Sequence, residues 1–512
     1  HFQALDFLGS WQHRADLPSG GPLQLSAVAV DIRADLKPGE TYSLPLVTFG
    51  VFRDNLDTMA ESLYNWQYEY MWDYTHDDYY AKMPFTVAWY GESDNLQQQW
   101  AGHLGDLDFR WIDYLRTVGM ELLWEDAGWS ASKRWWEANM EGPDFAVTNR
   151  YLPKLGMKLI VWIPGHQDPG LIDTKVGSWG NFQRRTDGMG FDAQIDKIFR
   201  KNAEHFLHTN LRCSFHTCSG GSRYAHTFEV QRYTDVNYDT DGPGSNITNA
   251  YFSYLETPDK WFDNLCCWQG GKGVNYQPDI GRRYLTQVPK WGLYIDETGL
   301  EGMRQIADIY HYLLQEGVAG RWSYITHPLI RGDEEFHYCQ RISYDRTKSI
   351  IIFKHRAENE VTIYPRGLLP KEEYTLDFDS IKISSVATGA DLMKNGIVIR
   401  RQQPEELIYL NLPNHPGSRR DHVVPGAPTR IYKQRENNIG YNGTALYWSP
   451  GSDNNWISYY EVQRDGVVLG KVSTGTFYFD YSPGWDPKTD YQVRTVDGNG
   501  NALSASHWGA YF

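Results

Sequence analysis

Cysteine is scarce in this chain, with five among 512 residues and no Cys-x-x-Cys. That excludes a disulfide scaffold and argues against a zinc ribbon or a thioredoxin-like redox centre. The odd number leaves at least one thiol free or paired elsewhere. No apolar run approaches the roughly 18 residues of a membrane span, so no transmembrane helix is indicated. Positive charge is also short: 49 Lys and Arg face 64 Asp and Glu, for a net charge of −15. Without a basic cluster, a phosphate backbone meets repulsion over most of the surface, and a nucleic-acid partner is not expected. Also missing are a P-loop, an H-E-x-x-H, a nucleophile elbow, and a G-x-G-x-x-G after the first strand of the central region. No cofactor and no metal are expected. The first seven residues have neither a basic segment nor an apolar core, so no signal peptide is visible. Because "HFQALDFLGSW" reads as the middle of a strand, the chain is expected to begin inside a longer precursor.

Aromatic residues, by contrast, are abundant. They make up 15% of the chain, with 20 Trp and 35 Tyr. A large aromatic core accounts for most of them. The remainder favours a carbohydrate ligand, because the apolar faces of pyranose rings stack on Trp and Tyr.

Residues 24 to 52 alternate apolar and polar around a Pro-Gly turn, and residues 55 to 80 read as helical and aromatic. From Pro84 the pattern changes to short apolar runs separated by amphipathic helices. The runs are "FTVAWY", "MELLWEDAGW", "MKLIVWIPGH", "FQRRTDGMG", "RCSFHTCSGG", "FEVQRYTDVNYD" (228–239) and "WGLYIDETGL" (291–300), followed by a helix between 301 and 317. Strand–helix alternation on this scale predicts an α/β protein with a (β/α)8 TIM barrel, a doubly wound open sheet being the competing architecture. After about residue 335 helical periodicity gives way to strands of a C-terminal β-sandwich. A last segment carries about seven short strands with an early Trp and a late Tyr-x-Val, the texture of a fibronectin type III-like sandwich. The predicted division is therefore residues 1–82 as part of an N-terminal β-sandwich with a helical linker, and 83–325 as the barrel. Residues 326–415 form the antiparallel sandwich and 425–512 the fibronectin type III-like module. Modules of that last type lean the expected location towards secretion or the cell surface.

In a parallel barrel the ligand sits at the carboxyl ends of the strands. Reading the polar residues that end each run gives Trp89, Glu125 with Asp126, Trp162 with His166, and Arg185 with Asp187. The later runs add Cys218 to Arg223, Asp235, and Asp296 with Glu297. Two carboxylates across a barrel mouth, with Trp walls and Arg clamps, suit glycosidic bond cleavage. Asp187 is followed by Gly188, and Arg185 lies two positions earlier, on the same face of a strand. A cation there holds a carboxylate ionised, as a nucleophile needs. Spacing alone leaves equal room for a surface ion pair in a Thr-Asp-Gly turn. Asp235 has Asp239 and Asp241 close behind it, and neighbouring like charges raise a carboxyl pKa, which suits a proton donor. The competing reading, a calcium loop, lacks the Gly and Glu that such a loop requires.

Taken together, "CSGGSR" after a strand, an aspartate-ended strand about a dozen residues later, and "WEDAGW" upstream resemble glycoside hydrolase family 36. Its members are α-galactosidases and α-N-acetylgalactosaminidases, and the resemblance spans roughly residues 1 to 412. It implies a retaining double displacement with Asp187 as nucleophile and Asp235 as acid/base. It implies that Asp126 and Trp162 bind the sugar and that Cys218, Gly221 and Arg223 line the glycone; Trp89 and Arg185 join them as strand-end candidates. Three departures stand out: Arg185 replaces the family's Lys, Ala127 replaces the second Asp of an Asp-Asp pair, and "RYTDVNYD" shortens a Trp-x-Ser-Asp-x-Thr-Asp element. The implied substrate is an oligosaccharide or glycoconjugate ending in an α-linked galactose-type sugar: galactose, galactosamine or N-acetylgalactosamine. A transglycosylase and a non-catalytic glycan-binding protein are the rival readings, and the oligomeric state is open.

Overall fold

The structure is a computed structural model. It describes residues 2–53 in large part, short stretches between 58 and 291, and most of residues 300–503 together with 509–510. The chain opens with β1 (Phe2–Asp6), β2 (Trp11–Asp16), β3 (Gln24–Ala29) and β4 (Leu46–Gly50). β1 pairs antiparallel with β4 and β2 with β3. The strands expected on either side of the Pro-Gly turn are present, but they pair with earlier strands instead of with each other.

Eight short strands follow: β5 (Thr86–Trp89), β6 (Leu122–Glu125), β7 (Lys158–Trp162), β8 (Gln183–Thr186), β9 (Ser214–Thr217), β10 (Val236–Tyr238), β11 (Trp261–Leu265) and β12 (Val288–Trp291). All neighbours are parallel, β12 pairs back onto β5, and the ring is closed. Val87, Leu123 and Leu159 are register partners, and the register offsets between neighbouring strands, followed once round the ring, leave a stagger of eight residues on β5. A shear of eight on eight strands is the geometry of a βα barrel. Leu122, Leu123, Leu159, Ile160 and Val161 are all buried. Consecutive residues of a strand are thus covered on both faces, which is why these runs read as continuous apolar stretches. Two runs were misread. β11 has no counterpart among the expected strands, because Trp-Phe-Asp-Asn-Leu carries two polar residues in five. β12 ends at Trp291, where the expected strand begins.

Helix α1 (Leu300–Gln315) follows the last barrel strand, burying Ala307, Ile309, Tyr310, Tyr312 and Leu313, and stops at Gly317 with φ 70°. Beyond it β13 (Tyr324–Thr326), β14 (Phe336–Ile342), β15 (Ser349–His355), β17 (Glu373–Phe378), β18 (Ser384–Thr388) and β20 (Glu405–Leu410) form one antiparallel sheet. β16 (Val361–Ile363) and β19 (Ile397–Ile399) form a second. Ile351, Tyr374, Leu376, Ile408 and Leu410 of the first sheet pack against Ile363, Ile397 and Ile399 of the second. Helix α2 (Gly389–Asn395), unexpected in a region read as all-strand, is capped by the Thr388 hydroxyl, which accepts from the Asp391 N–H at 3.1 Å, and adds Leu392 to the core.

The last unit has two sheets. β21 (Thr429–Asn438), β22 (Tyr441–Ser449) and β25 (Phe477–Asp480) make one. β23 (Ile457–Arg464), β24 (Val467–Val472), β26 (Tyr491–Asp497) and β27 (Gly509–Ala510) make the other, in the order β24-β23-β26-β27. Trp448 and Tyr460 meet edge to face at 5.5 Å in a core with Ile431, Leu446, Val462, Tyr491 and Val493. This sandwich docks on the barrel's base. Arg116, 1% exposed and just ahead of β6, donates Nε to the Thr474 carbonyl at 3.1 Å and Nη2 to the Thr474 and Phe477 carbonyls. The Ser473 N–H and hydroxyl return bonds to the Arg116 and Thr117 carbonyls. Gly156, directly ahead of Met157 and β7, lies so close to Gly475 that a Cβ on Gly475 would sit 2.5 Å from the Leu155 carbonyl oxygen. These contacts gather at the amino ends of β6 and β7, opposite the barrel mouth.

Candidate functional site

The register of the barrel brings three sequence-chosen or neighbouring positions into one row. Trp162, the last residue of β7, is the register partner of Arg185, and Arg185 is the partner of His216 on β9. Trp89 ends β5 and pairs with Glu125, the last residue of β6. Asp126, Asp187, Cys218, Gly221, Arg223 and Asp235 lie outside the described residues. In the sequence Asp126 directly follows Glu125, Asp187 follows Thr186 and Cys218 follows Thr217, the last described residues of β6, β8 and β9.

The described part of β10 runs from Val236 to Tyr238. Val236 is in register with His216, and through it with Arg185. Asp235 directly precedes these three residues in the sequence and Asp239 directly follows them.

The described residues also show one group of carboxylates outside the barrel, at Asp421, Asp453 and Asp497, with one oxygen from each within 4.8 Å of the others. Each accepts backbone N–H donors of its own turn: from Val423 at 2.9 Å, from Asn455 at 2.9 Å, and from Asn499 and Asn501 at 2.9 and 2.7 Å. Turn capping accounts for their placement.

No family model matches the chain, and no curated protein matches it. Solved structures do. A family 36 α-galactosidase from Geobacillus stearothermophilus in complex with raffinose superposes with a TM-score of 0.64 at 12% identity, covering 80% of this chain and 66% of that one. The galactosidase domain of an α-galactosidase–sucrose kinase gives 0.58 at 13% identity, with the same coverage. An α-galactosidase from Lactobacillus brevis gives 0.56 at 12%, covering 75% and 61%. The chain shares its fold with these α-galactosidases. It spans about two thirds (66%) of the length of the first of these structures. In a parallel barrel of this kind the carboxyl ends of the strands form the mouth.

Proposed function

We propose that this protein is a glycoside hydrolase that removes terminal α-linked galactose-type sugars by a retaining double displacement. The observation that carries the reading is the coincidence of chemistry with topology. Three residues chosen for sugar chemistry, Asp126, Asp187 and Cys218, each directly follow in the sequence the last described residue of a barrel strand, and Trp162 and Arg185 are register partners. The family 36 fold supports it, and so does the presence of raffinose in one matched structure and stachyose in another.

In this reading Asp187 attacks the anomeric carbon as the bond to the leaving oxygen breaks, and a second carboxyl gives that oxygen its proton. Water, deprotonated by the same carboxylate, then displaces Asp187 and releases the sugar with its α configuration retained. Arg185, two residues before the nucleophile, keeps it ionised. The resemblance gives Asp235 as the proton donor. Asp239, which directly follows Tyr238 of β10 in the sequence, is the alternative donor.

The terminal unit has the sheet order of a fibronectin type III-like module, three strands against four with the late edge strand β27 beside β26. We read it as one. A panel of nitrophenyl α-glycosides of galactose, N-acetylgalactosamine, galactosamine and glucose, run with raffinose and with and without a sugar acceptor, tests the function. Release of galactose or an amino sugar supports hydrolysis, and product formation only with acceptor favours the transglycosylase. Sugar binding without turnover on any substrate overturns both and leaves a glycan-binding protein.

A further inference from the structure

Tyr432 on β21 is 47% exposed, yet its ring is held in place. It is the register partner of Tyr447 on β22, and the two rings stack at 4.9 Å and 12°. Tyr447 leans in turn on Phe477 of β25 at 5.0 Å, and Phe477 meets Tyr151, on the barrel side of the seam, edge to face at 6.4 Å. A ladder of rings thus runs from solvent to the base of the barrel. Its outermost member has one face covered by Tyr447 and the other side in water.

The polar groups beside that ring are also placed. β21 alternates, with Ile431 in the sandwich core and Tyr432, Gln434 and Glu436 on the opposite face. Gln434 is exposed and donates to Glu436, whose carboxylate also accepts from the Tyr447 hydroxyl and from Lys154 Nζ at 3.2 Å. The β21–β22 register bulges directly before Tyr432, and Arg430 within the bulge is exposed at φ 49°. Bulges of this kind re-aim side chains. A rigid aromatic plane with an amide on one side and a guanidinium on the other is the chemistry that recognises a pyranose. The sugar's C–H face lies on the ring, and its rim hydroxyls meet the planar polar groups. A cross-strand tyrosine pair also steadies a sheet, but steadying requires the contact between the rings alone and makes no use of the exposed polar flank.

We propose that Tyr432, flanked by Arg430 and Gln434, is a second saccharide-binding site, on the terminal sandwich and separate from the barrel mouth.

The site goes beyond the hydrolase reading and does not depend on which carboxyl gives the proton. It lies beside the seam with the barrel's base, where Lys154 reaches Glu436, while the mouth is at the other ends of the strands. One short oligosaccharide therefore cannot fill both. A polysaccharide can, and a protein held at Tyr432 meets neighbouring chain ends at a raised effective concentration.

Native electrophoresis of the full chain in gels containing galactomannan, xylan or β-glucan tests this. Every protein in the gels carries Asp187→Ala, so that the mouth removes no sugar from the matrix. At least one polysaccharide is expected to retard the chain. Tyr432→Ala is expected to weaken that retardation roughly tenfold or more, and Tyr432→Phe to keep it. Gln434→Ala with Arg430→Ala, both at exposed positions, should weaken it without disturbing the fold, which covers the case of an unstable Tyr432→Ala. Tyr344→Ala, at a tyrosine 61% exposed on the other sandwich, should change nothing. With Asp187 intact, Tyr432→Ala should hydrolyse a nitrophenyl α-galactoside as the unaltered protein does. No retardation by any of the polysaccharides, or equal retardation with and without Tyr432, overturns the proposal whether or not the protein hydrolyses a glycoside. Retardation that depends on Tyr432 in a protein without turnover supports the site and overturns the hydrolase reading alone.

Discussion

Arg116 and Thr474 are 358 residues apart in the chain and are joined by two hydrogen bonds from one buried guanidinium. A buried charge of this kind is stable only while its donors are satisfied, and here backbone carbonyls of the terminal sandwich satisfy them. The sandwich is thereby part of the barrel's base. It is not a loosely tethered appendage.

Arg116→Ala removes the donor and strands the Thr474 and Phe477 carbonyls in a dry seam. The expected loss is about 3 kcal/mol, read as a lower urea midpoint for the full chain. Arg116→Lys recovers only part of it, because a point charge cannot serve both carbonyls in the fork geometry.

Gly475→Ala tests the close approach at the same seam. Gly475 has φ 78°, and an added Cβ meets the Leu155 carbonyl oxygen at 2.5 Å. The left-handed backbone alone costs about 1–2 kcal/mol for a residue with a Cβ, and the contact adds to it. Thermal unfolding should shift down by several degrees, whereas Gly20→Ala, with nothing within 4 Å of its Cβ, should show the backbone penalty only.

For the chemistry, Asp187→Ala is expected to abolish turnover on an activated α-galactoside by a factor of about a thousand or more, with azide restoring product formation in an inverted configuration. Asp239→Asn and Asp235→Asn then separate the two proton-donor assignments. The true donor's variant should keep most of its kcat/KM on a nitrophenyl leaving group, with a burst of nitrophenol before slow turnover, and lose far more on raffinose. The other variant should treat both substrates alike.

Asp308 sets a stability trend. Its pKa rises from the ordinary 3.8 to about 6 in the folded chain. A folded state that keeps a proton the unfolded state has lost becomes less stable as pH climbs between those values. His311, also raised, extends the decline above the ordinary histidine value. Denaturant midpoints should therefore fall between pH 4 and 7 in the unaltered protein and fall less in Asp308→Asn. An equal slope in the two would exclude Asp308 as the source.

Much of the barrel was legible because its strands are buried on both faces, so that "KLIVW" and "LLWE" stand out as unbroken apolar runs. Trp89 and Trp162 could be read near strand ends for the same reason, and β5 and β7 finish at them. β11 was illegible because Asp263 and Asn264 interrupt it. The docking of the terminal sandwich was likewise hidden. Arg116 reads locally as one more polar residue in an amphipathic helix, and only the distant Thr474 explains why it is buried.

That distance has a consequence for synthesis. A ribosome releases Arg116 about 358 residues before it makes Thr474, so the nascent barrel waits with this part of its base uncovered while the antiparallel sandwich and most of the terminal one are still being made. Folding at the base of the barrel is therefore tied to residues synthesised long after the barrel strands themselves.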